Sequence, residues 1–285
     1  MRAVVQRLTD GRLHLQDGPI DLIIAAMGPE RAIDVAYAAA SRRFATVLDE
    51  LCAELPLLRA EASAAHMPQG VVAQRMWRAV LPFATDAFIT PMAAVAGAVA
   101  EEILGAMTGA AGLGRAYVNN GGDIALHLAA GEGLAVGMMD RPDRPGLFGS
   151  LRIAADRPVR GIATSGWRGR SFSLGIADAV TVLAGTAAEA DAAATIIANA
   201  VDLPDHPAIV RRPASDLDPQ SDLRDRLVTV AVGTLSTAEI DRALASGGAV
   251  ARHGLERGLI RAAALHLGGH TVTVDGSALL NRHVA

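Results

Sequence analysis

Two apolar runs, 116–118 and 124–128, are separated by Asn119-Asn120-Gly121-Gly122-Asp123. Adjacent glycines allow backbone angles closed to other residues. Asn-Gly and Gly-Asp are also turn chemistry, so the flanking runs are expected to pair as the arms of a hairpin. The same five residues set two amides and a carboxylate at one corner, with glycines that let a ligand approach the backbone. The stretch is therefore either a plain hairpin turn or a turn that also lines a site. In the second case Asn119, Asn120, Gly121, Gly122 and Asp123 are the binding residues.

A hairpin needs a core to pack on. The chain has 285 residues, 51% of them apolar, which allows a large core and excludes global disorder. One domain over 1–285 is the expectation, with two as the competing organisation. Aromatics are only 3%, so the core is built from Ala, Val, Leu and Ile. Scarce aromatics, a net charge of −4 and no basic block argue against nucleic-acid binding. All 26 basic residues are arginine, which excludes lysine Schiff bases and a phosphate-loop lysine. The single cysteine, Cys52, excludes an intramolecular disulfide and falls in a helical pattern, where a buried small hydrophobe is expected. No leader pattern opens the chain, and its apolar runs are broken short of the roughly 20 residues of a membrane span. A soluble cytoplasmic protein with no membrane partner is expected, and its alanine-rich helices admit a homo-oligomer.

Alternating apolar residues predict a hairpin over 13–26. Gly28-Pro29 opens a long amphipathic helix. Its stripe is Ile33, Tyr37, Ala40, Phe44, Val47, Leu48, Leu51 and Leu55, and Pro56 closes it. A shorter helix is expected over 71–81. After Thr90-Pro91 comes a small-residue helix whose N-terminus is either a phosphate seat or simply packed. Strands are expected at 116–118, 123–129 and 134–139, and a polar loop at 140–150 whose two Arg-Pro pairs either bind an anion or are solvated. Strands ending at 163 and running over 179–183 bracket a Gly/Ser/Arg loop that carries Thr164, Ser165, Gly166, Arg168 and Arg170. A helix follows at 188–200, then a long polar loop at 202–226. The strand 227–232, a helix over 238–246 broken by Gly247-Gly248, a short helix to Arg257 and strands within 259–274 complete the chain.

Asp191 and Thr195 lie one helical turn apart on one face. A carboxylate and a hydroxyl are hard oxygen donors suited to Mg²⁺. The alternative is a solvated acid beside a hydroxyl bonded to its own helix.

Three pieces in order resemble the ApbE superfamily of flavin transferases. Val118-Asn119-Asn120-Gly121-Gly122-Asp123-Ile124 is similar to its N-x-G-G-D-I, and Ile162-Ala163-Thr164-Ser165-Gly166 to its I-A-T-S-G. Asp178-Ala179-Val180-Thr181-Val182 with Ala190-Asp191 and Thr195 is similar to its S-V-T-V strand and A-D-x-x-x-T helix. The full length looks closer to the uncharacterised protein family 0280 branch, through 10–22, 90–100, 118–126 and 215–223. The resemblance implies an α+β fold, a mixed α/β arrangement of antiparallel-rich sheets flanked by helices. It implies a small nucleotide-like ligand, FAD or FMN, held by Asn119 to Asp123 and by Thr164, Ser165 and Gly166, with Mg²⁺ on Asp191 and Thr195. An enzyme acting on a flavin or nucleotide-like phosphate ester is the first implied function and a non-catalytic flavin- or nucleotide-binding protein the second, with strict FAD-to-protein FMN transfer ranked below both. Two departures stand out. Ala96-Gly97 replaces a Lys-Gly pair, and Ser171 to Asp178 contains neither the histidine nor the Asp-Pro of the family's H-x-x-D-P segment.

Overall fold

The computed structural model describes residues 3–139, 147–275 and 280–282. It is a mixed α+β protein of antiparallel sheets flanked by helices. The chain forms two compact units, Met1–Leu134 with Ile153–Ala163 and Ala184–Asp191, and Ala135–Arg152 with Thr164–Leu183 and Ala192–Ala285.

The first unit begins with strands β1 (Val4–Arg7), β2 (Leu13–Asp17) and β3 (Ile20–Met27), paired antiparallel in sequence. β3 pairs with β4 (Arg115–Asn120), and β4 with β5 (Asp123–Leu128). β5 pairs with the start of β8 (Gly161–Ser165), Ile124 opposite Ile162. Leu13, Leu15, Leu22, Ile24 and Val118 are buried on one face, while the alternate residues His14, Ile23, Tyr117 and Asn119 are half-buried on the other.

Helix α1 (Glu30–Ala53) buries Tyr37, Ala40, Phe44, Val47 and Leu51 at the expected spacing. Cys52 is exposed, contrary to expectation. Leu51 occupies the inner stripe, and one residue further along turns about 100° away from it. The turn α2 (Leu55–Leu58), with Pro56 in it, follows the end of α1. Helices α3 (Val71–Val80) and α4 (Val95–Ala110) complete this unit's helical layer. Among the described residues one helical stretch, Pro91–Ala110, is long and apolar enough to cross a membrane by length and composition. It includes Glu101 and Glu102 and buries Ala98, Val99, Ala100, Ile103 and Met107.

Strands β6 (Gly133–Met139), β7 (Leu147–Ala154) and β14 (Leu280–Arg282) form a sheet in the order β14-β7-β6. Of the segment 140–150, expected as a loop, residues 147–150 are strand, and 140–146, with both Arg-Pro pairs, lie outside the described residues.

In the second unit β9 (Ala179–Ala184) pairs antiparallel with β12 (Ala262–Leu267), and β12 with β13 (His270–Asp275). Every residue of β9 and β12 is buried. Helix α5 (Ala187–Ala200) follows β9. The segment 202–226, expected as a loop, contains β10 (Ile209–Pro213) and the turn α6 (Ala214–Leu217). β10 pairs with β11 (Leu227–Val232) across a bulge between Val210 and Arg211. Strand pairing accommodates both arginines: Arg212 lies on the exposed side, and Arg211 is half-buried where it donates to Asp202.

Helix α7 (Thr237–Glu256) is continuous through Gly247-Gly248, which were expected to break it. A Cβ on Gly247 would lie 2.3 Å from Val201 Cγ2 and 2.9 Å from Leu265 Cδ2. The glycine is there for close packing, and buried neighbours offset its weak helix propensity. At the N-terminus of α7, Ser236 and Glu239 form a reciprocal capping box.

Candidate functional site

The N-N-G-G-D stretch is a two-residue hairpin turn. Asn120 pairs with Asp123, Asn119 pairs with Ile124, and Gly121 and Gly122 take φ of 67° and 118°. Positive φ at both loop positions is what a type I′ turn requires. The Asn119 Oδ1 accepts a hydrogen bond from the Gly122 amide at 2.8 Å, which braces the turn.

Strand alternation divides the motif. Asn119 faces one side of the sheet, whereas Asn120 and Asp123 face the other, together with Val118 and Ala125. Asn120 is buried, and its Nδ2 donates to the Ala96 carbonyl at 3.2 Å. That carbonyl lies in the first turn of α4.

The same turn of α4 meets Asp191. The Gly97 amide donates to Asp191 Oδ2 at 3.0 Å, and the Ala96 backbone also bonds this carboxylate. Asp191 thus does for α4 what an N-cap aspartate does, but from another helix. The Gly97 amide of this turn is thus engaged by a carboxylate of the protein itself. Thr90 precedes a separate short turn, Pro91–Ala94, in which its side chain makes no capping bond and Pro91 holds an early position.

Asp191 retains some solvent contact, yet its carboxylate is enclosed by packed protein. Burial pushes its pKa well above the ordinary aspartate value, and the negative charge of Asp123 pushes it further. The amides of Gly97 and Ala96 oppose the shift without cancelling it. Two carboxylates close enough to feel each other in a poorly solvated corner call for a proton or a cation. Among the described residues, no three His, Cys, Asp or Glu side chains gather into a metal-holding group.

Close helix packing holds this corner. A Cβ on Gly97 would lie 2.2 Å from the Ala187 carbonyl oxygen, so α4 and the start of α5 touch backbone to backbone. The Ala188 amide donates to Glu101 Oε1 at 2.7 Å. Glu101 also faces Arg75, which bonds Glu102 at 2.9 Å, and Glu102 accepts from Arg43 Nε at 2.7 Å. Glu101 was not among the residues the sequence motifs pointed to. The only signal was a pair of acids within an otherwise apolar helix.

Thr195 follows Asp191 by one turn along α5 and is half-buried. The expected carboxylate and hydroxyl therefore share one helix face. Thr164, Ser165 and Gly166 belong to the second unit. The Thr164 and Thr181 hydroxyls are 3.0 Å apart, and Thr164 and Ser165 keep solvent exposure. A Cβ on Gly166 would lie 2.5 Å from the Asp178 carbonyl oxygen. Asp178 is held on three sides. Its carboxylate accepts from Arg168 Nε at 2.8 Å, Trp167 Nε1 at 3.2 Å and the Gly268 amide at 2.8 Å. It is a structural carboxylate.

A family model described as "AbpE bacteria" matches residues 5–273. A UPF0280 protein of Methanopyrus kandleri is 40% identical over 141 residues, 50% of this chain and 54% of that protein. Another, from Archaeoglobus fulgidus, is 38% identical over 135 residues, 46% of this chain and 51% of that protein. The chain spans about half the length of the curated relatives it matches. Among solved structures, the apo form of Pseudomonas stutzeri flavinyl transferase ApbE is similar with a TM-score of 0.43 and 11% identity over 96% of this chain and 95% of that chain. With nearly all of its length inside one family model, the chain belongs to the family described as "AbpE bacteria".

Proposed function

We propose that this protein is an Mg²⁺-dependent enzyme acting on a flavin or nucleotide-like phosphate ester, FAD or FMN. The observation that supports it is the pairing of Asp123 and Asp191 at a turn with room on its backbone. The donor chemistry fits Mg²⁺: Asp191 supplies a carboxylate oxygen, Thr195 a hydroxyl, and Asp123 adds charge in a corner where Asp191 is costly to ionise alone. Bound there, Mg²⁺ would neutralise charge on a phosphate leaving group. Asn120 fixes the first turn of α4, and the Asn119 brace holds Gly121 and Gly122 in the conformation that leaves the turn open to a ligand. Thr164, Ser165 and Gly166 are the ligand contacts proposed in the second unit.

A second reading, a flavin- or nucleotide-binding protein without chemistry, is favoured by two observations. Ala96 and the segment Ser171 to Asp178 lack the lysine and histidine of flavin transferases. The one carboxylate of that segment, Asp178, already accepts from Trp167, Arg168 and the Gly268 amide, which suits a structural part better than a base.

Incubation with FAD, Mg²⁺ and a panel of acceptors, read by mass spectrometry, separates the two. AMP release or a flavinylated acceptor, lost in Asp191→Ala, is expected of the enzyme. FAD or FMN binding by calorimetry with no turnover would leave the binding protein. Absence of both turnover and binding would overturn both readings.

A further inference from the structure

We propose that Arg168 is an anion-binding residue that takes a phosphate group through the two Nη nitrogens of its guanidinium. The loop after β8 presses against the backbone before β9. Gly166 admits no side chain there, and the Trp167 amide donates to the Ala177 carbonyl at 3.0 Å. The Gly169 amide donates back to the Gly166 carbonyl at 3.1 Å, which closes the turn. Asp178, itself fixed by the Gly268 amide, accepts from Arg168 Nε at 2.8 Å. The Trp167 indole donates to the same carboxylate oxygen and lies under the guanidinium, 4.2 Å from ring centroid to Cζ. The guanidinium is thus held at one edge and on one face.

Its other edge is available. Among the described residues the two Nη nitrogens of Arg168 meet no protein acceptor, and the side chain is 29% exposed. Arginines with a purely structural part in this protein differ. Arg43 spends Nε and both Nη groups on Glu102 and Glu50, and Arg160 spends both Nη groups on backbone carbonyls. A fixed fork with a free outer edge matches two oxygens of a phosphate and loses little side-chain entropy on binding. The choice of phosphate over carboxylate rests on the proposed function; the anion-binding role does not.

The test is calorimetric titration of the full chain with inorganic pyrophosphate in EDTA, so that no metal contributes. Wild type is expected to bind, more weakly as salt rises. Arg168→Met is expected to lose at least about tenfold in affinity and Arg168→Lys about threefold or more, since an ammonium cannot offer the fork. Thermal melts verify folding, and if Arg168→Met does not fold, Arg168→Lys carries the comparison. No pyrophosphate binding by wild type, or unchanged affinity in the folded variants, overturns the proposal. FAD turnover with Mg²⁺ that survives in Arg168→Met overturns the phosphate role and leaves the proposed function standing. Pyrophosphate binding through Arg168 in a protein that neither binds nor turns over flavins leaves this inference standing without that function.

Discussion

Asp191 of α5 accepts from the Gly97 amide of α4 at 3.0 Å, and Glu101 of α4 accepts from the Ala188 amide of α5 at 2.7 Å. Each helix lends the other an acid where its first-turn amides lack partners within their own helix. Burying both N-termini at one crossing without these acids would leave donors unsatisfied. The crossing and the candidate site are therefore one construction.

Glu101→Ala should destabilise the protein by about 1–2 kcal/mol, the usual cost of losing a helix cap. Glu101→Gln keeps an oxygen for the Ala188 amide and should cost less. Urea unfolding of the two variants checks this, and equal losses would shift the stabilisation from the cap to the Arg75 ion pair.

Two glycines of α4 should respond with opposite signs. A Cβ at position 97 collides with the Ala187 backbone, so Gly97→Ala should cost about 1–3 kcal/mol or more by overpacking. Gly105 is exposed, and a Cβ there would meet nothing within 4 Å, so Gly105→Ala should stabilise by about 0.5–1 kcal/mol. Thermal melts of both variants read the signs directly.

The raised pKa of Asp191 gives a signed pH dependence. A group whose folded pKa lies above its unfolded value lends stability below the unfolded pKa and loses it as pH rises through the folded one. Asp191→Asn should thus gain on wild type at neutral pH and lose that advantage in acid. Asp123→Asn should lower the Asp191 pKa while burial keeps it above the ordinary range. Carboxylate carbon NMR shifts against pH follow the titration. No movement on Asp123→Asn would remove the charge interaction between the two acids.

Glu239 behaves in the opposite sense. The Ser236 amide, His206 and the Ser236 hydroxyl, in that order, lower its pKa from 4.5 to about 2. Its contribution is present above the unfolded value and is lost as pH falls toward 2. Glu239→Gln should flatten the acid limb of a stability–pH profile measured by urea unfolding between pH 2 and 6. An unchanged limb would count against the capping box as its source.

How much of this was legible depended on distance along the chain. The Gly121-Gly122 hairpin and the α1 stripe were readable because turn chemistry and helical period are local. The capping exchange was not, since Gly97 and Asp191 are separated by 94 positions and Glu101 and Ala188 by 87. Gly247-Gly248 read as a break because the tight neighbours Val201 and Leu265 are distant in sequence. Strand β10 was hidden by arginines and a proline that pairing with β11 tolerates. The candidate residues were readable as types, but not that Asn119 and Asn120 point to opposite faces, which follows from the strand register.

That opposition has an evolutionary consequence. Positions 119 and 122 maintain the shape of a bend, whereas 120 and 123 serve the acidic corner, and a pleat keeps the two duties mechanically separate. A descendant could discard the acid at 123 and inherit the bend intact, so a string match across these seven residues certifies ancestry more strongly than it certifies chemistry.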